Sequence, residues 1–242
     1  MITPNCIAMW SGPRNLSTAM MYAFAARGDC AVWDEPFYAA YLAVTGIDHP
    51  MRDAVIGAGQ TDPAEVGAAC LGPIPHEQTL FYQKHMTLHM IPGFDRGFMD
   101  GLTNVFLIRH PARVVASYAK KREGPTLTDI GFVQQAELFD QVTDRLGRVP
   151  LVIDSADIRA DPAGMLGKLC DGLGIGFTDR MLTWPAGRKP YDGIWASHWY
   201  GAVHRSTGFE EAEGALPDLP AEYQRLADQA LPMYERLASY RL

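Results

Sequence analysis

Apolar positions along the chain follow two alternating rhythms. Short, nearly continuous β-prone runs at residues 6–10, 30–33, 78–84, 104–109 and 150–154 read as strands. Between them the spacing changes to threes and fours. The first run breaks at Ser11-Gly12-Pro13 and resumes as a helical pattern over residues 19–26. Pro111 opens a second helix whose Val114, Val115, Tyr118 and Lys121 share one face. Phe132, Ala136, Phe139, Val142 and Leu146 mark a third, stopped by Gly147, and Asp161-Pro162 opens a fourth through Leu166, Leu169 and Leu173 to Gly174. This βα alternation predicts an α/β fold: one three-layer domain over residues 1–242, with a central parallel sheet flanked by helices and ligands at the carboxyl ends of its strands.

Two segments depart from the rhythm. Residues 37–75 are rich in Gly and Ala and carry Tyr38, Tyr41, His49, Met51 and Arg52, which suits a mobile lid over an acceptor pocket. Residues 184–209 mix Gly, Pro, aromatics and His without periodicity and read as a long functional loop. A last helix follows through Tyr223, Leu226, Ala230, Met233 and Leu237, with Pro232 expected to bend or interrupt it.

Composition narrows the function. A chain of 242 residues with 48% apolar and 20% charged residues has ordinary globular composition. Its apolar runs stop well short of the ~20 residues a membrane helix needs, and residues 1–5 lack a basic leader, so the expectation is a cytoplasmic protein. Cys6, Cys30, Cys70 and Cys170 form no C-x-x-C pair and read as buried free thiols without a metal. A net charge of -7 argues against nucleic acid as a partner. An anionic ligand would have to be met by a local cluster of cations.

Three segments supply such clusters. Ser11-Gly12-Pro13-Arg14-Asn15-Leu16-Ser17-Thr18 is a strand–loop–helix junction that aims unpaired N–H groups and a helix dipole at one point, with Arg14 as cation. It lacks the Gly-Lys of a nucleotide triphosphatase loop, and Asp154 alone ends a strand in a way that would suit magnesium. Arg109 stands at a strand end with Ser117 two turns into the next helix, and an arginine fork suits phosphate. Arg188-Lys189 precedes Gly193 and Trp195 in the aromatic loop, where an aromatic could pack on the ligand.

Together these pieces resemble the sulfotransferases that use 3′-phosphoadenosine 5′-phosphosulfate (PAPS). Pro13 to Thr18 is similar to their 5′-phosphosulfate loop, Arg109-x-Pro-x5-Ser117-Tyr118 to their 3′-phosphate motif, and Arg188-Lys189-x-x-x-Gly193-x-Trp195-x-x-His198 to their C-terminal loop. Leu16 and Pro190 stand where the family has glycine. The resemblance implies that Pro13, Arg14, Asn15, Leu16, Ser17 and Thr18 hold the 5′-phosphosulfate and that Arg109, Ser117, Arg188, Lys189, Gly193 and Trp195 serve the 3′-phosphate end, with PAP as product and no metal. It further implies in-line sulfuryl transfer to a hydroxyl or amine of a small molecule, with Arg14 stabilising the leaving group, and the aromatics of residues 37–75 favour a small alcohol, sugar or amphiphile as that acceptor.

The base has three candidates. Some family members use a histidine in a Lys-x-His segment, and the related stretch here, Lys84 to His89, does not match in register. Others, among them bacterial carbohydrate sulfotransferases, use a glutamate after the strand that follows the first helix, where Glu35 sits. Glu35 is favoured, then His89, then His85; a carboxylate at a strand end facing a desolvated cleft is raised toward a useful pKa. The competing readings are a P-loop nucleotide kinase or hydrolase and a non-catalytic adenosine-nucleotide-binding member of the fold, and no feature sets an oligomeric state.

Overall fold

The computed structural model describes residues 5–120 and 124–242. Lys121 and residues 1–4, on which two of the expectations above rest, lie outside the described residues. Five strands, β1 (Cys6–Ser11), β2 (Cys30–Asp34), β3 (Leu80–Met86), β4 (Thr103–Ile108) and β5 (Leu151–Asp154), form a parallel sheet in the order β2-β3-β1-β4-β5. Every residue of β1 and β3 is buried, as expected of parallel strands covered on both faces.

Alternation along β1 divides the core into two layers. Cys6, Ala8 and Trp10 face a cluster with Phe106, Phe139 and Val142, whereas Ile7 and Met9 face Met20, Phe24, Leu166 and Leu169. The helices contributing to these layers include α1 (Ser17–Ala26), α6 (Phe132–Leu146), α8 (Pro162–Leu173) and α10 (Ala221–Ala238). Between them in sequence lie α2 (Tyr38–Thr45), α3 (Arg52–Ala58), α4 (Pro63–Cys70), α5 (Pro111–Ala119), α7 (Ser155–Ala160) and the single turn α9 (Ala196–Trp199). Because β2 and β3 lie on one side of β1 and β4 on the other, the connections part at the carboxyl end of β1 and leave a crevice there.

Several boundaries differ from the sequence expectation. β3 starts at Leu80 and runs on through Met86, which places His85 within the strand. Residues 37–75 fold into α2, α3 and α4, and Phe37, Leu42, Val55, Val66 and Cys70 are buried. The 184–209 segment contains α9 and a 3-10 turn at Val203–Arg205. Pro232 does not interrupt α10, which is one helix from Ala221 to Ala238. Pro232 and Asp228, four residues before it, are both exposed, so the carbonyl deprived of an N–H partner is open to water. All four cysteines are buried free thiols. Among the described residues no helix is long and apolar enough to cross a membrane.

Candidate active site

The crevice at the end of β1 is shaped by a loop with two residues in left-handed conformation. Arg14 has φ 63° and Leu16 φ 72°, a region that costs a non-glycine residue about 1–2 kcal/mol. Leu16 is also the N-cap of α1 and gives it no side-chain hydrogen bond, so the first N–H groups of α1 lack the partner that Asp62, Asp154 and Asp161 supply to α4, α7 and α8. Neighbouring elements hold this conformation. Arg109, just past β4, donates to the Arg14 carbonyl at 2.7 Å, and the buried Asn15 donates to the Leu107 carbonyl at 3.2 Å. Arg14 Nε in turn donates to Ser117 Oγ on α5 at 2.9 Å. The two sequence motifs are therefore joined by direct hydrogen bonds, and burial and then the nearby Arg109 cation lower the Arg14 pKa.

A cavity of about 230 Å³ opens here. One end is lined by residues 13–19 with Arg109 and Ser117, the other by Glu35, Lys84 and His89, and the walls include Tyr38, Tyr41, Trp199 and Phe209. At the second end β2 stops at Asp34 and turns at Glu35, whose φ is 46°. Lys84, buried on the neighbouring strand, lies 2.9 Å from Asp34, 2.6 Å from Glu35 and 2.6 Å from the Tyr200 hydroxyl, which donates to Asp34. Burial alone would lower the Lys84 pKa, and the two flanking carboxylates outweigh it and raise the ammonium above its ordinary value. Glu35 is pushed up by burial against the pull of Lys84.

The candidate histidines separate clearly. His89 Nε2 lies 4.0 Å from Glu35 Oε2, and its ring is stacked between Tyr38 and Tyr41 with centroids 4.6 and 4.9 Å away. Its Nδ1 is buried and has no hydrogen-bond partner among the described residues. Burial, then the neighbouring His49 and Lys84, hold the imidazole well below its usual pKa. His85 is not at the cavity. It points into the core, stacked 4.3 Å from Trp10 and 3.1 Å from the Gln83 side chain, and burial drives its pKa down to about 3.

The third motif also lies elsewhere. Arg188 is exposed, and Lys189 donates to the Gly187 carbonyl at 2.7 Å with its ammonium 5.2 Å from the Tyr22 ring; neither lines the cavity. Gly193 donates to Asp34 at 3.1 Å, and a Cβ there would lie 2.2 Å from the Trp195 ring, so the glycine allows that indole to pack. Trp195 meets Tyr38 edge-on at 5.0 Å and donates to the Tyr200 hydroxyl, backing the wall rather than facing the cavity. In place of Arg188 and Lys189 the structure brings Ser206, Gly208, Phe209 and Glu210 to the rim. The sequence places Ser206, Gly208 and Phe209 within the functional loop of residues 184–209 but singles out none of them; the available signal was the small, hydroxyl-bearing run Ser206-Thr207-Gly208. Asp154 is committed too: it caps α7 through the Ala156 N–H and accepts from Tyr234 at 2.7 Å, away from the cavity.

The parallel sheet and its flanking helices define an α/β fold shared with bacterial sulfotransferases of known structure. The sulfotransferase from Alicyclobacillus acidocaldarius superposes with a TM-score of 0.60 at 13% identity, over 100% of this chain and 98% of that one. The sulfotransferase domain from the curacin biosynthetic pathway superposes with a TM-score of 0.51 at 18% identity, over all of both chains. A family profile described as a sulfotransferase domain matches residues 5–241, and the chain belongs to that family. Two curated proteins of Arabidopsis thaliana, branched-chain-amino-acid aminotransferase-like proteins 1 and 2, are 35% and 34% identical over 240 and 231 residues. These matches cover 99% and 96% of this chain but 43% and 41% of the relatives, so the chain spans less than half their length.

Proposed function

We propose that this sulfotransferase moves a sulfuryl group from PAPS to the hydroxyl of a small acceptor, without a metal. The observation that carries the reading is one cavity joining the uncapped α1 terminus and its loop, the Arg109–Ser117 pair and the buried Glu35–His89 pair. The residues fit the donor: Arg109 Nε is buried without a partner among the described residues, and free N–H groups at a helix start suit an anion. When bound, PAPS supplies a sulfuryl group that passes from the bridging oxygen of its 5′-phosphate to the acceptor oxygen.

The chain's residues divide the remaining work. Arg14 and the N–H groups at residues 16–18 stabilise charge on the bridging oxygen, as pre-aimed donors do in a desiccated site. Arg109 and Ser117 hold the 3′-phosphate, with Ser206 and Gly208 completing the rim where Arg188 and Lys189 were expected. Glu35 has Oε1 tied to Lys84, while its Oε2 faces His89 Nε2. At 4.0 Å that contact is too long for a hydrogen bond, but the Glu35 charge favours the neutral His89 tautomer protonated at Nε2, which would leave the Nδ1 lone pair for the acceptor proton. His89 is thus the base and Glu35 the residue that orients it. Tyr38, Tyr41, Trp199 and Phe209 suit an acceptor with an apolar body.

The test is thermal stabilisation by PAP compared with ATP plus magnesium, followed by incubation with labelled PAPS and a metabolite extract. The expected result is a shift with PAP alone and a sulfated small molecule. Stabilisation by ATP and magnesium without PAP binding would replace this reading with a nucleotide kinase or hydrolase, and PAP binding without any transfer would make the protein a non-catalytic binder.

A further inference from the structure

Beyond the rim at Glu210 the chain crosses an exposed stretch before α10, and one side chain of that stretch is buried. The Glu213 side chain is 3% exposed, and its carboxylate is enclosed by three arginines from three separate elements. It contacts Arg109 at the end of β4, lies 2.9 Å from Arg113 Nε on α5 and 2.9 Å from Arg159 on α7. The same arginines grip the backbone beside it: Arg113 donates to the Gly214 carbonyl, and Arg159 Nε donates to the Glu211 carbonyl at 2.8 Å. Arg159 also lies 3.2 Å from Glu210, so the three guanidinium groups are met by two carboxylates of this stretch, a double negative charge that one dianionic phosphate can replace. Arg109 is shared between this cluster and the cavity wall.

We infer that Arg109, Arg113 and Arg159 form a phosphate subsite that Glu213 fills in the unliganded chain, and that a ligand phosphate takes its place by displacing the carboxylate and lifting residues 210–216. Resting on the donor reading above, the ligand is the 3′-phosphate of PAPS or PAP. The inference adds Arg113 and Arg159 to the donor site and makes the strap an internal competitor for it. Two like-charged groups cannot share three arginines without loss, so binding of one releases the other.

The test compares PAP with adenosine 5′-phosphate, which differs only in lacking the 3′-phosphate, and with inorganic phosphate. In Glu213→Gln the competing charge is gone while the side chain keeps its size. PAP should bind this variant about tenfold more tightly than it binds the parent, adenosine 5′-phosphate within about twofold of the parent, and inorganic phosphate, which meets the same competitor, should gain by a similar factor while binding far more weakly than PAP. Unchanged or weaker PAP binding by a variant that melts like the parent would overturn the inference and make Glu213 a strut for Arg109. Inorganic phosphate binding the variant as tightly as PAP does would overturn the nucleotide as the occupant. The unaltered protein provides a second readout free of folding effects: PAP should speed amide exchange across residues 210–216, and adenosine 5′-phosphate should not. Slower or unchanged exchange with PAP would overturn the displacement. If the unaltered protein binds PAP no better than adenosine 5′-phosphate, and Glu213→Gln does not separate them, the donor assignment itself falls.

Discussion

At His89 the two ring nitrogens have different surroundings, and the proposed role of the ring as base rests on that difference. Nε2 looks toward Glu35 at 4.0 Å, whereas Nδ1 is buried with no partner among the described residues, a state that ordinarily costs about 1–3 kcal/mol unless a ligand relieves it. Glu35 is held by Lys84, so taking a proton there would weaken a buried ion pair. His89→Ala should therefore lower kcat by about 10²–10⁴-fold with PAP affinity unchanged. Glu35→Gln, which keeps the shape but loses the orienting charge, should cost less, about tenfold. Turnover with the acceptor recovered from the labelled screen, alongside PAP binding, measures both; a larger loss in Glu35→Gln than in His89→Ala would move the base to Glu35.

The element that sets the site is the β1–α1 loop, and its geometry depends on the start of α6. Gly131, the N-cap of α6, has φ +72°, and a Cβ there would lie 2.9 Å from Thr87 Oγ1, which itself donates to the Gly131 carbonyl. The same position approaches Gly12 and Pro13 at 3.5 and 3.6 Å. Gly131→Ala thus combines a left-handed backbone with a close contact and should destabilise by about 2 kcal/mol in urea unfolding, with weaker anion binding as the loop shifts. A loss below about 0.5 kcal/mol would show that the two loops are not interlocked. The β1–α1 junction, the β4–Pro111 start of α5 and the strands were legible in the sequence because each is marked locally, by an apolar run ending at Gly-Pro or by a proline at a helix start. α2, α3 and α4 were not, since short Gly- and Ala-rich helices owe their form to contacts such as Val66 and Cys70 in the core. Nor could local sequence tell which part of residues 184–209 turns to the cavity: the basic pair Arg188-Lys189 looked the better candidate, while the tertiary path brought Ser206 and Gly208 instead.

Across the whole molecule, the fold buries two histidines four residues apart, His85 on β3 in the core and His89 in the turn after it at the cavity, and this links stability to acidity. The folded His85 has a pKa of about 3 against an ordinary value of 6.5, so between those limits the unfolded chain binds a proton that the native state refuses. Its contribution is present above pH 6.5 and is lost as pH falls, at about 1.4 kcal/mol per pH unit. His89 acts in the same direction, with its folded pKa also lowered. Glu35 and Asp154 act oppositely: burial raises both carboxyls, so the native state takes up protons before the unfolded chain does and gains on acidification. Because the net slope mixes these terms, the informative quantity is a difference between two proteins. His85→Gln removes one titrating ring and keeps a group able to reach Gln83. Urea unfolding at pH 7 and pH 5 should show the parent losing about 2 kcal/mol more than the variant over that interval. Equal losses in the two proteins would mean that His85 is protonated within the fold, and that the Trp10 face of the sheet admits a charge this packing leaves no room for.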